Sequence, residues 1–278
     1  MSPGDLAAAS DAVRVAGGEP GAAAWIDPGD AADLPLAGLT AAAARAALEA
    51  ALPHADVVVQ PASVPRRRAL LIADMDSTLI QCECIDELAD YAGLKPQVAA
   101  ITEAAMRGEL DFTAALDARV ALLAGMEVAV LDRCRAERVR LMPGARELVA
   151  TMAAWGARTI LVSGGFTAFA GPVGRMLGFD RIVANTLLSE DGRLTGTVAR
   201  PVVDASTKFA ELTAAGVPLD RCLAVGDGAN DVPMLAAAGL GIAFHGKPAT
   251  AAAADANVRH GDLTALLWAQ GVPRRDWR

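Results

Sequence analysis

The segment Ala69-Leu70-Leu71-Ile72-Ala73-Asp74-Met75-Asp76-Ser77-Thr78 constrains this chain more than any other. An apolar, strand-forming run stops abruptly at two carboxylates two residues apart, followed by two hydroxyls. Residues i and i+2 of an extended backbone point the same way, so Asp74 and Asp76 leave the strand end on one side. Two like charges held together are costly unless a cation or another partner compensates them. Such a strand end is a candidate magnesium and phosphoryl-transfer site. Taken alone, it also reads as a strand followed by an Asp-rich turn.

Three later segments weigh against the turn. Thr159-Ile160-Leu161-Val162 is an apolar run that ends in Ser163-Gly164-Gly165. Cys222-Leu223-Ala224-Val225 is another, ending in Gly226-Asp227-Gly228-Ala229-Asn230-Asp231, and Lys208 lies between the two. Parallel α/β sheets gather ligand groups at the carboxyl ends of their strands. Here those ends carry carboxylates, a hydroxyl, glycines and a lysine. From the residues alone, Asp74 fits a nucleophile and a metal ligand equally well. Lys208 is the best-placed lysine, because Lys95 falls in the helical insertion described next and Lys247 follows the last motif.

The pattern along the chain predicts an α/β fold: an open, mostly parallel sheet covered by helices. After the first strand, 83–141 reads as an insertion of four helices, Asp86–Tyr91, Lys95–Arg107, Phe112–Leu123 and Val128–Arg138. The α/β alternation resumes after Pro143-Gly144. Residues 182–199 hold Glu190-Asp191-Gly192-Arg193 between alternating apolar runs, a hairpin signal. The catalytic core is thus expected at 66–82 and 142–278. Residues 1–65 are Ala-rich and acidic, with one amphipathic helix from Leu39 to Leu52 behind Thr40 and a short strand at Val57–Val59. They read either as a small regulatory module or as a partly disordered segment.

The net charge of −8 argues against nucleic acid, whose binding rests on phosphate neutralisation. The only tight basic run, Arg66-Arg67-Arg68, reads as a solvated linker. No apolar stretch is long enough for a membrane span and no signal peptide is evident, so a cytoplasmic location is expected. The spacing of Cys82, Cys84, Cys134 and Cys222 suggests free thiols rather than a disulfide framework. The sequence leaves the oligomeric state open, a homodimer included.

The ordered set of motifs resembles the haloacid-dehalogenase-like phosphohydrolases and, among them, the phosphoserine phosphatases. The resemblance runs from Leu70 to Leu267. Besides the three strand ends and Lys208, it is carried by Glu83-Cys84-Ile85-Asp86-Glu87, Ala105-Met106-Arg107-Gly108-Glu109-Leu110-Asp111-Phe112 and Arg119-Val120. It implies a Rossmannoid parallel-sheet core with an inserted helical cap, and Mg²⁺-dependent hydrolysis of O-phospho-L-serine through an aspartyl-phosphate, the last step of serine biosynthesis. It implies Asp74 as nucleophile, Asp76 as general acid/base and Lys208 as the balancing charge. Asp74, the Asp76 carbonyl and Asp227 become metal ligands, with Asp231 supporting them through a water or by contact with Lys208. Ser163, Gly164 and Asn230 would hold the phosphoryl oxygens. Glu83 would pair with the substrate ammonium and Arg119 with its carboxylate, under an apolar lid of Met106 and Phe112. A phosphotransferase acting on an acceptor such as homoserine would use the same residues. A non-catalytic sensor would have no need of Asp76.

Overall fold

The computed structural model describes residues 1–106 and 109–278. Its centre is a six-stranded sheet in the order 256–258, 240–244, 222–226, 70–73, 158–166, 181–185, with every pair parallel. The two middle strands, Leu70–Ala73 and Cys222–Gly226, are buried throughout. Helices cover both faces, which is why these strands are apolar runs rather than alternating ones. Alternate side chains still divide the core. Leu71, Ala73, Leu161, Leu223 and Val225 join helices Ala145–Ala154 and Thr167–Leu177 on one side. Leu70, Ile72, Ile160, Val162 and Ala224 join helices Ala205–Ala214 and Val232–Ala237 on the other.

The insertion consists of helices Cys84–Tyr91, Lys95–Met106, Phe112–Ala121 and Ala129–Arg138. Leu88, Leu116, Val120, Leu131 and Cys134 continue the first core cluster into it. Asp111 starts the third helix by accepting from the Ala114 amide at 2.8 Å.

The run read as one hairpin divides in two. Arg181–Asn185 is a parallel strand at the sheet edge, and only Leu187–Glu190 with Arg193–Val198 form the hairpin. Its turn residues Asp191 and Gly192 both have positive φ, 48° and 76°, as a type I′ turn requires. The hairpin docks on the insertion, where Gly125 N donates to Leu194 O and Leu194 N to Met126 O, each at 2.8 Å. The other edge strand, Ala256–Val258, is too short to stand out in an alanine-rich sequence.

Residues 1–65 are structured. Helix Pro3–Val15 and helix Ala41–Ala51 flank two small antiparallel pairs, and Thr40 caps the second helix by accepting from Ala43 N. Ala9, Val13, Leu48, Leu52 and Val57 form their own apolar cluster. Val57 makes a single bridge to Asn257 in place of the expected strand. Apart from the exposed Arg67, the basic run is not a solvated linker. Arg68 is 1 % exposed, donating to Asp220 O and Gln60 Oε1 at 2.6 Å each. Arg66 donates to Trp268 O and Ala269 O and pairs with Asp33. A guanidinium carries five fixed donors, so it can satisfy several loop carbonyls at once.

Candidate active site

The carboxyl ends of strands 70–73, 158–166 and 222–226 converge, and the motif side chains converge with them. Asp74 follows its strand directly, and its amide donates to Val225 O at 3.0 Å. Lys208 comes from the first turns of helix Ala205–Ala214, which Asp204 caps by accepting from Thr207 N. The lysine is fully buried, with Nζ 2.9 Å from Asp74 Oδ1 and 2.6 Å from Asp231 Oδ1. Asp74 Oδ1 also accepts from the Met75 amide at 2.7 Å. Asp231 Oδ2 accepts from Gly228 N at 3.0 Å. Gly226 is required beneath it, because a Cβ there would stand 2.3 Å from Asp231 Cγ.

Asp74, Asp227 and Asp231 offer carboxylate oxygens that all lie within 4.8 Å of one another. Burial is the first cause that raises the Asp74 carboxyl well above its usual range. The Asp231 charge adds to it, and Lys208 opposes it. Burial likewise raises Asp227 to about 6, opposed by Lys247. Burial alone would lower Lys208, but Asp74 and Asp231 outweigh it and hold the ammonium charged. One buried ammonium, with the exposed Lys247 beside Asp227, therefore faces three buried carboxyl groups. A donor set made only of carboxylate oxygens fits a hard divalent cation.

The Asp76 side chain lies apart from that cluster. It approaches Gly165, where a Cβ would come within 2.6 Å of Oδ2. Its Oδ1 is buried without a hydrogen-bond partner. Burial first, then the Glu83 charge, raise this carboxyl to about 7, while Cys84 opposes the rise. A carboxyl near 7 can both give and take a proton at neutral pH.

Strand 158–166 bulges between Ser163 and Phe166, exposing the backbone of Gly164 and Gly165. Ser163 is fully buried, and its Oγ accepts from Gly165 N at 2.9 Å. The Phe112 ring reaches over this bulge from the insertion, since a Cβ at Gly164 would lie 3.3 Å from Phe112 Cζ and 3.8 Å from Asn230 Nδ2. Glu83, at the N-cap of helix Cys84–Tyr91, leaves its own helix uncapped and accepts from Ser77 Oγ at 2.8 Å. Ser77 adopts a left-handed backbone, φ 54°, to do this. Arg119 Nε donates to Ala115 O at 3.2 Å. Burial lowers the Arg119 pKa, while Asp86, Glu83 and Asp76 oppose that shift. Among the described residues no carboxylate pairs with it within 4 Å. The Met106 side chain, expected in the lid, lies outside the described residues.

Four residues of this neighbourhood were not assigned a role from the sequence. Ser77 holds Glu83. Thr78 Oγ1 reaches Asp227 Oδ1 at 3.4 Å. Lys247, set aside for its position, lies 3.5 Å from Asp227 Oδ2. Asn185 is buried behind the Gly164 bulge and donates to Gly164 O at 2.8 Å. Ser77 and Thr78 belong to the Asp74 motif and were within reach of sequence reasoning. Asn185 and Lys247 carried no local signal.

A charged lysine beside a strand-end carboxylate, a proton-exchanging carboxyl, an all-oxygen cation cradle and an open backbone loop together suit phosphoryl transfer, which rests on positioning and charge neutralisation. Comparisons agree with that chemistry. A family model for haloacid dehalogenase-like hydrolases matches residues 71–236. A phosphoserine phosphatase of Streptomyces coelicolor is 46 % identical over 256 residues, 90 % of this chain, and the match spans 62 % of that relative's length. A phosphoserine phosphatase of Idiomarina loihiensis is 49 % identical over 202 residues, covering 71 % of this chain and 91 % of the relative. The crystal structure of a probable phosphoserine phosphatase from Vibrio cholerae, in unliganded form, aligns with a TM-score of 0.78 at 35 % identity, covering 97 % of this chain and 83 % of that one. The chain belongs to the haloacid dehalogenase-like hydrolases.

Proposed function

We propose that this chain is a Mg²⁺-dependent phosphoserine phosphatase that converts O-phospho-L-serine and water to L-serine and phosphate, the closing step of serine biosynthesis. The observation that carries the reading is the fully buried Lys208 held between Asp74 and Asp231, with Asp76 Oδ1 buried without a hydrogen-bond partner beside Gly165. The names of the relatives supply the substrate class. The four unpaired cysteines fit a cytoplasmic setting.

In this reading Asp74 attacks phosphorus and carries the phosphoryl group as an aspartyl-phosphate. Asp76 protonates the departing serine alkoxide, then takes a proton from the water that cleaves the acyl phosphate. A carboxyl held at about 7 suits both transfers. Lys208 offsets the charge of Asp74 and of the incoming phosphate. Ser163, Gly164 and Asn230 bind the non-bridging oxygens. Asp74, Asp227 and the Asp76 carbonyl hold Mg²⁺, with Asp231 behind them fixing Lys208. The bound ion supplies Lewis-acid stabilisation of the phosphoryl charge. Glu83 and Arg119 take the ammonium and carboxylate of the substrate. Residues 83–141 serve as a cap, with Phe112 excluding bulk water, over a core of 66–82 and 142–278.

The test is phosphate release from O-phospho-L-serine with and without Mg²⁺, with homoserine added in a parallel arm to detect phosphoryl transfer. Asp74→Asn is expected to fold and to show no turnover, and beryllofluoride should be trapped by wild type and not by the variant. Near-normal release by the Asp74→Asn variant would rule out the covalent step.

A further inference from the structure

The bulge that opens the Ser163–Gly165 backbone has a cost. It breaks the register of strand 158–166 against strand 181–185, pairing Ser163 with Ala184 and then Phe166 with Asn185. The carbonyl of Gly164 thereby loses a regular ladder partner. A carbonyl turned out of the ladder still calls for a donor, and here the Asn185 side chain supplies one, with Nδ2 2.8 Å from the part-buried Gly164 O. The same amide turns its other side to Val203. Its Oδ1 accepts from Val203 N at 2.7 Å, and Nδ2 also reaches Val203 O at 3.4 Å. Val203 directly precedes Asp204, the N-cap of the helix that carries Lys208. Asn185 is 2 % exposed, so these bonds are not shared with bulk water.

One buried amide thus ties the backbone of the glycine bulge to the root of the lysine helix. The first segment carries Ser163 and Gly164, and the second carries Lys208, whose Nζ lies 2.9 Å from Asp74 Oδ1. No other described side chain bonds both. We infer that Asn185 is a positioning residue for the reaction, setting the span between the loop that grips the phosphoryl oxygens and the lysine that neutralises them. It touches neither substrate nor reacting atoms. The inference rests on the phosphatase reading above.

The two halves of the amide can be separated. Asn185→Ala removes both links. Asn185→Asp is nearly isosteric and keeps the acceptor for Val203 N while losing the donor to Gly164 O and the longer one to Val203 O. Both are measured as full-length protein in the phosphoserine assay, with inhibition by inorganic phosphate, Mn²⁺ binding by titration calorimetry and thermal melting in parallel. The expected result is a fall in kcat of about a hundredfold, the scale of a misplacement of about 1 Å at a reacting group. Affinity for inorganic phosphate should fall at least tenfold in roughly the same variants. Mn²⁺ affinity, which depends on Asp74, Asp227 and the Asp76 carbonyl, should stay within about twofold. A role confined to stability would lower the melting temperature and leave kcat and phosphate inhibition unchanged. That outcome, or a parallel loss of Mn²⁺ affinity, overturns the inference. Should the Ala variant fail to fold, the Asp variant decides by the same criteria. Wild type without phosphatase activity would instead sink the functional reading on which the inference rests.

Discussion

Arg119 and Glu83 differ from the other charged groups of the site in what they can touch. Both come from the insertion side, and neither contacts Asp74 or Lys208. Arg119→Ala is expected to cost about 2–5 kcal/mol in kcat/KM for phosphoserine, the scale for truncating one side of a buried charge pair. p-Nitrophenyl phosphate, which has no carboxylate, should lose far less. Equal losses on both substrates would mean that Arg119 holds the cap rather than the substrate. The acids of the site permit a second prediction at this scale. Burial raises Asp227 to about 6 and Asp76 to about 7 from an ordinary value of 3.8. A raised carboxyl keeps its proton in the folded state after the unfolded chain has released it, so stability is full below about pH 4 and is lost as pH rises toward 6–7. Two pKa units at Asp227 correspond to about 3 kcal/mol. Mg²⁺ binds the ionised carboxylates, so it should raise the melting temperature strongly at pH 8 and weakly at pH 5. Calorimetry with EDTA or Mg²⁺ at both pH values checks this. Equal shifts would show that these carboxyls do not govern the linkage.

Strand ends are the elements on which this molecule places its chemistry, and the ends of 158–166 and 222–226 are built around glycines. At Gly226 the requirement is Asp231, folded back so closely that a Cβ would stand 2.3 Å from its carboxyl carbon. Gly226→Ala should therefore push Asp231 from Lys208, leaving a buried ammonium with one partner. We expect loss of most turnover with the strand still formed, and Mg²⁺ affinity reduced several-fold in the same titration. Wild-type turnover in that variant would mean that Asp231 is not needed where it stands. The elements differ in how openly the sequence announces them. Strands 70–73, 158–166, 222–226 and 240–244 are largely buried, so each reads as an apolar run, and the first three are closed by motif residues. Arg181–Asn185 does not, because as an edge strand it is only half-buried and runs almost directly into the hairpin that follows. Ala256–Val258 has three residues and no bulky one apart from Val258. The site was legible wherever motif and strand end coincide. Asn185 and Lys247 were not, because their roles depend on contacts with Gly164, Val203 and Asp227 that lie far away in sequence.

At the scale of the whole molecule, residues 1–65 are fastened to the far end of the chain. Asp56 accepts from the amides of Arg259, His260 and Gly261. Asp27 accepts from Trp268 Nε1 and from Arg274 N. Among the described residues, none of 1–65 bonds a residue proposed for the site. The shortest route between them is indirect. Asp56 holds Gly261, whose carbonyl meets His245 Nε2, and two residues on Lys247 N donates to Asp227 O. The loop 245–247 thus feels the N-terminal segment while the reacting groups do not. This arrangement predicts a division of effects. A chain starting near Pro65 should keep kcat within a few-fold, because Asp74, Asp76, Lys208 and Ser163 retain all their partners. It should melt at a lower temperature, because strand Ala256–Val258 loses its Val57 bridge and its edge is uncovered. Asp56→Ala isolates one part of that loss. Hydrogen bonds to a charged group contribute about 2 kcal/mol, which for a chain of this size is roughly 4–8 °C in Tm. The same variant should leave kcat unchanged, since the carboxylate lies outside the site. If instead the truncated chain folds, melts cooperatively and has no activity, residues 1–65 complete the site through the 245–247 loop, and Mg²⁺ affinity at Asp227 would fall with it. Melting and kcat measured on the two proteins together distinguish a fastening from a working part.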